Sequence, residues 1–205
     1  MSHHFYVRTV HGYTLKPLKL NFTGTGKFYL SAARLHLHAF YLFDEPAAFG
    51  YADRILTLYQ TARSLIQQGL ELDDQDPGFF HFCPFFCYQV FISASFILLK
   101  TLMNGYFASL LDVTEGKKLV DAAISAARKM SAANNDLPGR LSDVLAFFCT
   151  LPDPRVISGE RIDGLQLTVR NRLTMSIVYD ALWQWRRHFQ HGARKQADIP
   201  STQDK

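Results

Sequence analysis

Residues 54–68 read RILTLYQTARSLIQQ, and this stretch decides the fold class. Ile55, Leu58, Tyr59, Ala62, Leu65 and Ile66 recur at the i, i+3, i+4, i+7 spacing of one helix face, while Arg54, Gln60, Arg63, Gln67 and Gln68 occupy the other. No strand alternation interrupts the pattern here or elsewhere in the chain. Upstream, Phe28, Ala32, Leu35, Ala39 and Leu42 mark a second helical face that ends at Asp44-Glu45-Pro46. Downstream, Leu119, Ala123, Ala127 and Met130 mark another, with Asp112 and Glu115 spaced as a capping pair at its start. Leu141, Val144, Leu145 and Phe148 follow, started by Asp136 and Pro138. Met175, Val178, Tyr179, Leu182, Trp185 and Phe189 form the last stripe, closed by Arg186, Arg187 and His188 against the negative end of the helix dipole.

Residues 77–99 stand apart because none of these 23 residues carries a formal charge, so the segment approaches the length of a membrane span. His81, Pro84, Gln89, Ser93 and Ser95 interrupt it, no basic cluster flanks its start, and several amphipathic helices are available to cover it. The segment therefore reads as a buried central helix, with anchorage to a membrane through 77–99 as the alternative. These faces predict an all-α protein: a single multi-helix bundle of about six to eight helices around an aromatic-rich core. The 14% aromatic content, with 17 Phe, supplies the rings.

At 205 residues the chain can bury about 70% of its unfolded surface without disulfide or metal support. Three domain-level segments follow: an N-terminal arm or broken helix over 1–26, a helical domain over 27–190, and a polar, basic, disordered tail over 191–205. The 152–166 connection is longer than most loops between helices. Cys83, Cys87 and Cys149 are too few and odd in number for a disulfide framework, so a reducing compartment fits. The N-terminus lacks the apolar run of a secretory signal. A net charge of +4 permits an acidic partner without requiring one.

No catalytic, cofactor-binding or metal site emerges, and the chain does not read as an enzyme. Thr23-Gly24-Thr25-Gly26-Lys27 misses the phosphate-loop spacing and lacks a preceding strand, so it reads as a turn before a helix. His36 and His38 point about 200° apart on a helix and cannot share a metal. Cys83 and Cys87 can face the same way, yet only His81 accompanies them, so they read as ordinary buried thiols. Asp53, Asp121, Asp136 and Asp143 sit singly on solvent faces or at helix starts, with no paired carboxylates for acid and base work. Arg186, Arg187, His188, His191, Arg194 and Lys195 form the one basic run; helix-end charge and a solvated tail explain it as well as nucleic-acid contact does. The rings between Phe79 and Phe96 read as core packing, with a small-molecule pocket between bundle helices as the second possibility.

Two stretches carry a resemblance. Asn134-Asn135-Asp136-Leu137-Pro138-Gly139-Arg140 precedes the amphipathic Leu141 to Phe148. Leu167-Thr168-Val169-Arg170-Asn171-Arg172-Leu173-Thr174-Met175-Ser176-Ile177-Val178-Tyr179-Asp180 runs into Leu182-Trp183-Gln184-Trp185-Arg186. Together they resemble the C-terminal regulatory region of fungal zinc-cluster transcription factors, in the group similar to the regulator of leucine biosynthesis. That family carries an Arg, a Leu or Met, a Ser, and a hydrophobic-Tyr-Asp-x-Leu-Trp-x-Trp run near the end of its regulatory domain. The order of elements is similar from roughly Phe28 to Phe189, with the specific part in the last third. The resemblance implies a nuclear regulatory module that senses a small metabolite or represses an attached activator by intramolecular contact. Other transcription-factor chains or the transcription machinery would be its partners. The family's DNA-binding module holds two zinc ions in six closely spaced cysteines; this chain has three, none in that pattern, so zinc and direct DNA binding do not transfer to it.

Overall fold

The computed structural model describes residues 23–151 and 165–197, with the backbone alone for 189–197. Eight α-helices and no strand occur among the described residues: α1 (Gly24–His38), α2 (Tyr51–Gln75), α3 (Phe79–Phe82), α4 (Phe85–Leu102), α5 (Gly105–Ala108), α6 (Val113–Lys129), α7 (Leu137–Cys149) and α8 (Ser176–Ala197). Short 3-10 turns at Ala39–Phe43 and Leu173–Met175 extend α1 and precede α8. The all-α bundle expected from the amphipathic faces is the observed architecture.

The start signals behave as their chemistry dictates. Thr23, Asn104, Asp112 and Asp136 each turn a side-chain oxygen onto an amide of the first turn that has no partner within the helix: those of Gly26, Phe107, Glu115 and Gly139. Helix α1 thus begins at Gly24, inside the segment expected to be an arm, because Thr23 caps it. At the other end α8 runs to Ala197, past the expected start of a disordered tail at 191. Ala, Arg, Lys and Gln at 193–197 propagate a helix without needing an apolar face. The remainder of the expected arm, the 152–164 connection and the tail from 198 lie outside the described residues.

Helix α4 is the axis of the core. It packs against α2 and α6, α1 lies along α2, α7 packs on α6, and α8 closes the bundle against α4. Val90, Phe91, Ile92, Ala94, Phe96, Ile97, Leu98 and Leu99 are all buried, so this helix is apolar around its whole circumference. The hydroxyls of Ser93, Ser95 and Thr101 are satisfied within the helix, donating to the carbonyls of Gln89, Phe91 and Ile97, four residues back. The 77–99 segment is not one helix, however. Cys83 is extended (φ −64°, ψ 149°) and ends the single turn of α3, and Pro84 then starts α4. Proline disfavours a helical residue before it and lacks the amide that would continue the ladder.

The expected faces of α1 and α2 are buried throughout. In α6 and α7, Ala123, Ala127, Leu141, Val144 and Leu145 are buried, while Leu119, Met130 and Phe148 pack at the margin. Close approach shows at Gly116 of α6. A Cβ built there would lie 2.7 Å from Leu102 Cδ1 and 3.1 Å from the Tyr59 hydroxyl, so glycine lets α6 settle onto α4 and α2.

Candidate functional site

The two stretches that carry the resemblance are each organised by one aspartate. In the first, Asp136 accepts hydrogen bonds from the amides of Gly139 (2.9 Å), Ala132 (2.8 Å) and Ala133 (3.2 Å) and from the Ser131 hydroxyl (2.8 Å). It therefore stitches the α6–α7 turn as well as capping α7. Asn135 beside it adopts φ 64°, a left-handed conformation that asparagine tolerates. These donors, the Gly139 amide first, hold the Asp136 carboxyl down at about 2.

The second stretch is built on Asp180, whose side chain is 0% exposed. Its Oδ2 receives Lys100 Nζ at 2.8 Å and Gln184 Nε2 at 2.8 Å, and its Oδ1 receives the amides of Thr168 (2.7 Å) and Val169 (3.4 Å). One carboxylate thus ties together α4, α8 and the irregular segment at 167–169. Lys100 is the single charged residue of α4 and stands near its C-terminal end. A buried carboxylate requires such partners, since an unpaired charge in the core is strongly unfavourable.

This arrangement corrects the expected face of α8. Ile177 and Val178 are buried, Leu182 and Trp185 pack at the edge, and Tyr179 is 45% exposed. Pointing Asp180 at Lys100 rotates α8 and carries the adjacent Tyr179 outward, where the Arg172 guanidinium lies 5.4 Å from its ring centre. Leu173 between them adopts φ 51° and is exposed, a strained conformation for a branched side chain. Phe189 lies among the residues whose side chains are not described.

The remaining candidates are scattered. His36 Nδ1 meets the Thr174 hydroxyl and His38 Nδ1 meets that of Thr61 at 2.8 Å, so the two rings diverge as the spacing requires. Burial lowers the pKa of both. Cys87 is buried beside the Tyr29 hydroxyl (3.6 Å), and burial pushes the Cys83 thiol up to about 11. A thiol raised in this way, as at Cys83, is not an activated nucleophile. No group of three or more His, Cys, Asp or Glu converges as metal ligands among the described residues. Arg186, Arg187 and His188 are exposed on α8; the Arg187 guanidinium stacks 4.6 Å from the Trp183 ring centre, and His188 meets Phe147 edge-on at 5.1 Å. The structure does not gather the basic run onto a groove among the described side chains.

The rings expected between Phe79 and Phe96 divide into two sets. Phe80, Phe91 and Phe96 are core residues; Phe80 and Phe91 lie 4.7 Å apart and close on the backbone of Gly69. Phe82, Phe85 and Phe86 face outward. Shallow concavities lie at the surface instead, one along Ser109, Asp112, Lys117 and Asp121, another along Asp73, Asp74, His81 and Lys129. Helix α4 is long and apolar enough to cross a membrane by length and composition, and 78% of it is buried within the bundle.

Sequence reasoning named Asp180 only as a motif residue, without its buried role, and missed Lys100. The signal was a lone acid among Ile177, Val178 and Ala181 on a helix, together with one cation on an otherwise uncharged helix. Comparison with protein-family models, curated proteins and solved structures finds no match to this chain.

Proposed function

We propose that this chain is a regulatory domain of the fungal zinc-cluster transcription-factor kind, acting in the nucleus without a DNA-binding zinc cluster of its own. The observation that carries the reading is where the resemblance falls. Each of its two motifs is built around one aspartate that gathers backbone amides, and the second of them locks α8 onto the central helix. The motif's Tyr179 and Trp183 stand partly in solvent with Arg172 and Arg187 over their rings. Exposed aromatic and arginine side chains of this kind suit contact with another protein surface.

Of the two regulatory routes, protein contact has more support than a metabolite held inside the aromatic core, because Phe80, Phe91 and Gly69 already fill that space. A small-molecule effector would have to use a surface concavity. Membrane association through 77–99 has less support, since a span needs apolar surface facing lipid and most of α4 is enclosed by other helices. The partners are other transcription-factor chains or the transcription machinery.

The test is a tethered reporter: the chain fused to an unrelated DNA-binding module and expressed with a promoter carrying that module's site. Reporter output that rises or falls at least severalfold, and returns to baseline when Tyr179 and Trp183 are both changed to Ser, agrees with the proposal. Output equal to the module alone contradicts it.

A further inference from the structure

At the end of the bundle where α1 begins, an aromatic face and an acidic edge lie side by side. Tyr29, Phe82, Phe85 and Phe86 are 41%, 83%, 59% and 39% exposed. Phe86 stacks between the rings of Tyr29 (5.9 Å) and His36 (5.8 Å), so these three rings form one continuous surface, with Phe82 and Phe85 exposed on the adjoining turns of α3 and α4. A contiguous exposed apolar face of this kind marks a contact site. Helix α2 ends next to it in Glu71, Leu72, Asp73, Asp74, Gln75 and Asp76. Lys129 neutralises Asp73 at 2.8 Å, whereas Glu71, Asp74 and Asp76 make no ion pair among the described residues. An occupant that is both apolar and cationic would complement this end.

We propose that residues 1–22 of this same chain cover the face. Three observations select them. The segment contains Arg8, Lys16 and Lys19 and no acidic residue, so it complements the acidic edge. It also contains Phe5, Tyr6, Val7, Val10, Tyr13, Leu15, Leu18, Leu20 and Phe22, which complement the rings. Finally, it is attached at the site: a Cβ at Gly24 would lie 2.8 Å from Leu72 Cδ2, so the first residue of α1 rests on the acidic end of α2. At about 3.3 Å per extended residue the segment reaches roughly 70 Å, more than enough to cross the face.

Tethering also raises its effective concentration over any free competitor. A second copy meeting this face through a two-fold axis would bring the acidic edge against itself, and an anionic membrane surface would be repelled by the same carboxylates. The proposal does not depend on the regulatory reading.

The experiment uses the full chain. Zero-length carbodiimide coupling followed by peptide mass spectrometry, on a mixture of isotopically light and heavy chains, is expected to join Lys16 or Lys19 to Glu71, Asp74 or Asp76 within single copies. Amide exchange over residues 5–20 is expected to be slowed about tenfold or more relative to an unstructured chain. Both signals should be lost in Phe85→Ser, and the slowed exchange should also be lost, with the bundle surface untouched, in Lys16→Glu/Lys19→Glu. Exchange at the unstructured rate in the unmodified chain, or coupling found only between light and heavy copies, overturns the proposal.

Discussion

Changing Asp180 to alanine leaves Lys100 and the amides of Thr168 and Val169 without their shared acceptor. Breaking a buried ion pair by removing one partner costs about 3–5 kcal/mol, so the urea midpoint of Asp180→Ala should fall by that equivalent. Asp180→Asn should lose less, since an amide oxygen still accepts from Thr168. The double change Asp180→Asn/Lys100→Met should be milder than the sum of its parts. Additive losses would mean that the two side chains are not energetically coupled. Acid titration probes the same scale. His36 and His38 have folded pKa values below the ordinary imidazole value because of burial, so the unfolded chain takes up protons first as pH falls. Stability present above about pH 6.5 is lost below it as the histidines charge. Asp136 is depressed to about 2, so its contribution is present above the ordinary carboxylate pKa near 4 and is lost between about pH 4 and 2. Chemical denaturation across pH should therefore show two descending steps, and Asp136→Asn should shrink the lower one, to which Asp73 also contributes.

The helices show what local pattern can and cannot reveal. Faces repeating at helical spacing in α1 and α2, and caps at Asp112 and Asp136, were legible because both depend on neighbours within a few residues. The break before Pro84 was signalled in the sequence, yet the uncharged run around it invited a single long helix. The rotation of α8 was not legible, because it is set by Lys100, 80 residues away, and not by the helix's own apolar residues. Close approach between helices is equally long-range: nothing adjacent to Gly116 reveals that Leu102 and Tyr59 crowd it. Alanine there gains helix propensity of about 1 kcal/mol but must displace a buried leucine, and overpacking costs about 1–3 kcal/mol. Gly116→Ala should therefore lower stability by up to about 2 kcal/mol in denaturant titration. A clear gain in stability would show that α6 does not sit as tightly on α4 as the structure indicates.

At the scale of the whole molecule, helical periodicity revealed the fold class but little of the site. The aromatic residues divide between a filled core and an outward face, and only the three-dimensional arrangement separates Phe80 and Phe91 from Phe82, Phe85 and Phe86. The basic run of α8 likewise had two readings in sequence; in the structure Arg187 stacks on Trp183 and His188 meets Phe147, uses that need no nucleic acid. The proposed regulatory role would leave DNA reading to another module. A gel-shift titration with random duplex DNA at low salt, on the purified chain with and without the residues after Phe189, tests that most directly. The account predicts no shift, or a weak one that salt abolishes and that disappears with the tail; a salt-resistant shift that persists without the tail would contradict it and make this chain a DNA-binding protein in its own right.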